Sequence, residues 1–327
     1  MIWSIYPTDD SFDRVACQAA EHGGVVFTSL HLPEVEDVES FLGILADLHD
    51  RFALTFWADV SPVAIDLLRP ELRDVGIVGL RYDFGFGTYD IHKLAERTGL
   101  GTAINASTID ATTLDSLIDL RPVGWHNYYP RPSTGITTSW CLKQSRLFID
   151  RGLPVTAFIP GERGLRGPLH RGLPTLEHHR YRNAWANVIE LRQMGVTVAV
   201  AEGTLTQRTL TWIERFDTDG VITLPLCDLA CAELLGEHTL RREETGISWR
   251  IDGTRGMDVP DAPNAGLRPA GSLQMDTLDR YCGEVHLMVR DEPLDGNWVR
   301  VGEVAGPYAE MVAYLSGGMK VDFTMWG

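Results

Sequence analysis

Between residues 1 and about 225 the chain repeats one motif: a short apolar run, a polar loop, then an amphipathic stretch. The runs are Ile2–Tyr6, Val25–Leu30, Leu54–Asp59, Val78–Asp83, Thr102–Asn105, Val123–His126, Val155–Ile159 and Val196–Ala201. Each has the length of a strand, and most are apolar without alternation, as in parallel strands covered on both faces. Helical spacing occupies Asp10–His22, Glu36–Asp50, Asp110–Leu120, Thr138–Asp150 and Thr175–Met194, the last opened by Pro174 and Thr175. Eight strand–helix units predict an α/β fold, a (β/α)8 barrel, with a doubly wound open sheet as the competing arrangement. No Gly-x-Gly-x-x-Gly follows the first run, which weighs against the dinucleotide-binding version of that competitor.

After residue 240 the period changes. Ile247–Ile251, Gly283–Arg290, Trp298–Val304 and Lys320–Met325 are short runs set apart by Asp-Gly, Pro and Gly signals. This predicts a barrel domain over residues 1–238 and a small β-rich domain over residues 239–327.

Composition narrows the partners. A net charge of -16 argues against nucleic acid and anionic membranes, which are polyanions themselves. Five scattered cysteines, an odd number with no Cys-x-x-Cys, fit a reducing compartment, and Cys227 with Cys231 makes only half of a metal clip. The start Met1-Ile2-Trp3-Ser4-Ile5-Tyr6 lacks the basic opening of an export signal, so a cytoplasmic enzyme is expected. The sequence says nothing of oligomeric state.

Charge is also unevenly placed. Residues 121–182 hold ten Lys/Arg against three Asp/Glu, inside a chain that is otherwise strongly acidic. Arg131, Arg163 and Arg166 lie on Gly- and Pro-rich loops, where guanidinium groups suit a phosphate or carboxylate. Gly161, Gly164 and Gly167 would let backbone N–H groups approach the same anion.

In a barrel the chemistry sits at the C-terminal ends of the strands. There the sequence supplies His31, Asp59, Arg81, Asp83, Asn105, His126, Asn127, Tyr129, Arg131, Glu162, Arg166, Glu177 and Glu202. Single members have plain structural explanations: Asp59 as a helix cap, His126 as a satisfied core histidine. As a set they are harder to explain that way.

Several of these segments together resemble one bacterial family. They are Phe27-Thr28-Ser29-Leu30-His31-Leu32-Pro33-Glu34, Trp57-Ala58-Asp59-Val60-Ser61-Pro62, Gly79-Leu80-Arg81-Tyr82-Asp83 and Ile104-Asn105-Ala106-Ser107. His126-Asn127-Tyr128-Tyr129-Pro130-Arg131-Pro132, the run from Arg166 to Glu177, and Arg280-Tyr281-Cys282-Gly283-Glu284-Val285-His286-Leu287 complete them. The family is that of the 6-phospho-N-acetylmuramidases, glycoside hydrolase family 170. The resemblance implies a TIM barrel followed by a cyclophilin-like β domain. It also implies exo-hydrolysis of the β-1,4 bond of N-acetylmuramic acid 6-phosphate–N-acetylglucosamine during cytoplasmic recovery of cell-wall sugars, with no cofactor. Ser133 and Glu202 depart from the residues expected at their places, Ser133 from an acid and Glu202 from Asp.

Glycoside hydrolysis needs acid and nucleophilic or basic groups, and Asp83, Asp59, Glu162 and Glu202 are the carboxylates to supply them. His31, Arg81, Asn105, His126, Asn127, Tyr129, Arg131, Arg166 and Glu177 would bind an anionic amino-sugar phosphate. Two other readings stay open: a metal-dependent barrel enzyme using His31, Asp59, Asp83 and His126, and a non-catalytic sugar-phosphate binder.

Overall fold

The computed structural model describes residues 1–6, 12–30, 38–62, 70–261 and 266–327. Eight parallel strands close into a barrel in chain order: β1 (Ile2–Ser4), β2 (Val25–Ser29), β3 (Thr55–Val60), β4 (Ile77–Tyr82), β5 (Gly101–Asn105), β6 (Val123–Trp125), β7 (Val155–Ile159) and β8 (Thr197–Val200). Pairing of β1 with β8 completes the ring. Every apolar run of the sequence up to residue 201 becomes one of these strands, and closure removes the open-sheet alternative.

The helices are α1 (Phe12–Glu21), α2 (Val38–Phe52), α3 (Thr88–Thr98), α4 (Ala111–Asp115), α5 (Thr138–Ile149), α6 (Ala184–Gln193) and α7 (Gln207–Asp219). Local chemistry sets several starts. Asp110, Thr137 and Asn183 each cap the helix that follows, accepting from the backbone N–H of Thr113, Trp140 and Ala186. The helix expected from Thr175 therefore begins only at Ala184. Residues 175–183 are used otherwise: Thr175 Oγ1 donates to the Asn127 carbonyl at 2.8 Å and accepts from Phe158 N–H at 2.9 Å. Leu176 bridges Ile136, so this segment ties the loops after β6 and β7 together.

Aromatic rings fill the barrel. Phe27 stacks on Trp125 at 4.9 Å between centroids and meets Phe158 edge-on at 5.2 Å, with Tyr6, Ala103, Ala199 and Ala201 around them. Each such buried ring stabilises the fold by about 1.5–3 kcal/mol. Trp57 on β3 needs a gap in its neighbours, and glycine provides it. A Cβ on Gly79 would lie 2.3 Å from the indole, and one on Gly101 2.8 Å.

The chain divides into two compact units, Met1–Thr206 and Gln207–Gly327. The second starts earlier than the period change at residue 240 suggested. Its sheet runs β10 (Gly236–Thr239), β17 (Lys320–Met325), β9 (Val221–Leu229), β16 (Trp298–Val304), β13 (Ser272–Asp276), β14 (Val285–Met288) and β11 (Ser248–Arg250). Strand β9 is apolar enough to pass for another barrel strand, yet it pairs with β16 and β17. A short ribbon of β12 (Leu267–Arg268) and β15 (Glu292–Pro293) completes the β-rich unit. Among the described residues no helix is long and apolar enough to cross a membrane.

Candidate active site

The parallel register of β3 and β4 places Asp59 beside Arg81, both buried at the C-terminal end of the barrel. Arg81 Nη1 donates to Asp59 Oδ1 at 2.8 Å and lies 3.1 Å from Asp83 Oδ1. Asn105 Nδ2, from the end of β5, donates to that same Asp83 oxygen at 2.9 Å. One guanidinium nitrogen thus serves two carboxylates, and their Oδ1 atoms stand at most about 6 Å apart. Arg81 thus gives both carboxylates a charge-assisted contact at the barrel mouth. Asp83 is the more open of the two, with 20% of its side chain exposed against 10% for Asp59.

Strand β6 continues the constellation. Asn127 Oδ1 accepts from Arg81 Nη2, and Asn127 N–H donates to Ser107 Oγ at 3.0 Å. His126 faces the other way, into the protein. Ser107 Oγ lies 3.1 Å from its Nδ1 and Ser145 Oγ 3.0 Å from its Nε2. Each ring nitrogen thus has a hydroxyl partner inside the core. Burial lowers the His126 pKa to about 3, so the ring is neutral. The substrate contact expected of His126 is replaced by a supporting role, because both of its nitrogens are spent inside the core.

The loops after β7 and β8 bring in the remaining groups. Glu202 is buried just past β8, and its Oε2 accepts from the backbone N–H of Arg166 at 2.7 Å. The Arg166 guanidinium then lies over the Tyr6 ring at 4.1 Å, and Tyr6 meets Tyr128 edge-on at 5.9 Å. Burial, reinforced by Tyr128, pushes the Tyr6 hydroxyl well above its usual pKa. Glycine is required here for packing between the loops. A Cβ on Gly161 would fall 2.1 Å from the Glu202 carbonyl oxygen, and one on Gly203 1.9 Å from that of Arg163. Glu162 sits farther out and accepts from the backbone N–H of Thr206 at 2.6 Å.

Glu177 is a brace. Its carboxylate accepts from Arg180 Nε and Nη2, both at 2.7 Å, and from the N–H groups of Ser133 at 2.9 Å and Gly135 at 2.7 Å. The Arg180 fork and these amides lower its pKa to about 2. With all its acceptor sites filled it cannot hold a sugar hydroxyl as well, and the substrate contact expected of it gives way to loop bracing. The brace fixes the loop that carries Tyr129 and Arg131. Tyr129 N–H donates to the Pro174 carbonyl at 2.9 Å, and Arg180 Nη2 donates to the Arg131 carbonyl at 3.2 Å, which leaves the Arg131 side chain exposed on the rim. His31 lies outside the described residues.

Among the described residues one group has the chemistry of a metal centre: His178, His179 and Glu190, with ligand atoms within 4.8 Å of one another. Its Glu190 carboxylate is already engaged by both histidines and by Arg182. Glu190 Oε2 accepts from His178 Nε2 at 2.8 Å, His179 Nε2 at 3.1 Å and Arg182 Nη1 at 2.6 Å, and Oε1 accepts from Thr138 at 3.1 Å. A fixed guanidinium on the shared oxygen competes directly with a cation, so the set reads as an ion-paired cluster.

Sequence reasoning passed over Tyr6, Tyr128, Ser145, Thr175 and Arg180. Tyr6 had a usable signal, a phenol at the C-terminal end of the first barrel strand. Tyr128, Ser145 and Thr175 act through partners far along the chain, and Arg180 acts through Glu177 three residues before it.

The model of the N-terminal region of 6-phospho-N-acetylmuramidases matches residues 3–215. Two solved structures resemble the whole chain. A conserved Enterococcus faecalis protein of unknown function is 25% identical, with a TM-score of 0.81 over 100% of this chain and 97% of its own. An uncharacterized B. cereus protein is 22% identical, with a TM-score of 0.78 over 99% and 98%, a likeness of fold alone. No curated protein sequence matches.

Proposed function

Because the chain belongs to the 6-phospho-N-acetylmuramidase family, we propose that it is a glycoside hydrolase of cytoplasmic cell-wall sugar recycling. It acts from the end of its substrate, cleaving the β-1,4 bond of N-acetylmuramic acid 6-phosphate–N-acetylglucosamine. The observation that carries this reading is the Arg81 constellation. A buried guanidinium joins Asp59 and Asp83 at the mouth of the barrel, and Asn105 and Asn127 complete the shell around it.

In this reading Asp83 is the working anion. It is the more open carboxylate, and its charge faces the oxocarbenium-like centre that develops as the glycosidic bond breaks. Asp59 is the deeper group, and with Arg81 it fixes where Asp83 points. Arg166, stacked on Tyr6, and Arg131 on the rim hold the phosphate and the lactyl carboxylate, in line with the positive island of residues 121–182. Asn127 and Tyr129 bind the sugar ring.

The test is incubation with the phosphorylated disaccharide, following both released sugars by mass spectrometry. Release of N-acetylmuramic acid 6-phosphate and N-acetylglucosamine is the expected result. Cleavage of a different 6-phospho-glycoside would overturn the substrate and keep the reaction class. Binding without cleavage of any would leave a sugar-phosphate binder.

A further inference from the structure

The β-rich unit holds a charged cluster that the proposed hydrolysis does not use. Glu284, just ahead of β14, is buried, and four nitrogen-bearing side chains converge on it. Arg255 donates to its Oε2 from Nη2 at 2.6 Å and from Nε at 3.1 Å, and Arg241 Nη2 lies 3.4 Å from the same oxygen. His286 Nε2 and Arg250 Nη1 stand 3.3 and 4.0 Å from Oε1.

The fold builds this convergence on purpose-shaped backbone. Register sets Arg250 of β11 opposite His286 of β14, and Arg241 N–H donates to the Arg250 carbonyl at 2.8 Å. Gly283 has φ +86°, and a Cβ there would lie 2.4 Å from Met257 N. Only glycine therefore lets the turn carrying Arg255 lie against Glu284. The Arg255 guanidinium also sits over the Tyr281 ring at 5.0 Å, which fixes its plane.

Three guanidinium groups here meet one buried carboxylate. The other acids in reach, Asp252 at 3.6 Å from Arg241 and Glu243 at 3.3 Å from Arg250, have side chains 65% and 69% exposed. Water screens contacts of that kind, so they offset little of the positive charge. Arg250 Nε is buried and has no hydrogen-bond partner among the described residues. Guanidinium groups in excess of their buried counter-charge, with a donor unspent, suit a planar or tetrahedral oxyanion.

We propose that Arg241, Arg250 and Arg255, with His286 beside them, form an anion site in the C-terminal unit that takes the phosphate group of a small molecule. Burial lowers the His286 pKa, so at neutral pH the ring enters as a neutral hydrogen-bonding group. The proposal is independent of the barrel's reaction.

The test is hydrogen exchange on the full chain titrated with inorganic phosphate, against chloride at matched ionic strength. Saturable protection is expected in residues 241–256 and 283–287. Arg250→Met should raise the half-saturating phosphate concentration by about tenfold or more, and so should Arg241→Met. Arg166→Met, in the barrel, should leave this response unchanged. Absence of protection in the wild-type protein overturns the site. So does protection that survives unchanged in the folded Arg250→Met and Arg241→Met variants, which would reveal an ion-pair network serving stability alone. If Arg250→Met fails to fold, Arg241→Met decides by the same two outcomes.

Discussion

Two carboxylate clusters in the barrel unit use the same residue types to opposite ends. Around Arg81, one cation is shared by two carboxylates, Asp59 and Asp83. Around Glu190, one carboxylate takes four donors, His178, His179, Arg182 and Thr138. The first set leaves Asp83 partly open at the barrel mouth. In the second, burial alone would raise the Glu190 pKa, but the two histidines prevail and hold it well below the ordinary carboxylate range. Burial meanwhile lowers the pKa of His179 to about 4. In the proposed reading, residue type does not separate the catalytic cluster from the structural one. The exposure of a carboxylate at the barrel mouth does, 20% of the Asp83 side chain against 5% for Glu190.

The widest separation between the two clusters should come from Asp83→Asn. This variant removes the open anion and keeps the shape, so kcat on the phosphorylated disaccharide should fall by about 10²–10⁴. Substrate affinity measured by calorimetry should stay within about fivefold of wild type. Turnover near the wild-type rate would show that Asp83 is not the working group and would dissolve the contrast.

Arg81→Met strikes the same cluster through its cation. Two carboxylates would remain at the barrel mouth without their shared counter-charge, destabilising the fold by about 3–5 kcal/mol at neutral pH. The sign with pH follows from protonation. The penalty comes from uncompensated negative charge, so the loss should shrink as pH falls and that charge is removed by protonation. Urea unfolding at pH 7 and pH 5 reads this out, and a penalty equal at both would mean that Arg81 acts by packing.

Glu190→Gln provides the opposite signature. Arg182 would be buried without its counter-charge, costing about 3 kcal/mol of stability in thermal or urea unfolding. Turnover per folded molecule should change by less than about threefold, since nothing in this cluster meets substrate in the proposed reading. A large loss of kcat with stability intact would make the two clusters functionally alike.

How much of this was legible follows from how far each cause reaches along the chain. The eight barrel strands are written locally as buried apolar runs, and all eight are found. Asp59, Arg81, Asp83 and Asn105 were also readable, because a parallel barrel places strand ends together whatever their sequence distance. The supporting roles of His126 and Glu177 were not: Ser145 and the Ser133 and Gly135 amides reach them only through tertiary packing, although Arg180 is a local i,i+3 partner of Glu177. The start of α6 was misplaced for a related reason. Pro174-Thr175 has the chemistry of a helix start, but Thr175 is held between Asn127 and Phe158. Strand β9 was assigned to the barrel domain because its apolar run does not reveal that β16 and β17 are its partners.

Glu177 offers the smallest test, and it lies between the two extremes. Like Glu190 it takes several donors, but its side chain is 32% exposed, so solvent weakens each contact. Its folded-state pKa is about 2, down from 4.5. A depressed carboxylate pKa gives stability that is fully present above the unfolded value and is lost as pH falls through the folded one. Glu177 should thus contribute about 1–2 kcal/mol above pH ~4.5, fading toward pH ~2. In Glu177→Gln that contribution disappears, so the unfolding free energy should fall less steeply between pH 5 and pH 3 than in the wild type. Because the brace also holds the loop presenting Arg131, the same variant should raise KM for the phosphorylated disaccharide by about threefold to tenfold with kcat little changed. A wild-type pH slope in the variant would mean that the Arg180 fork and the two loop amides contribute no net stability. The saturated carboxylate would then be a consequence of how the two loops meet, not a cause of it.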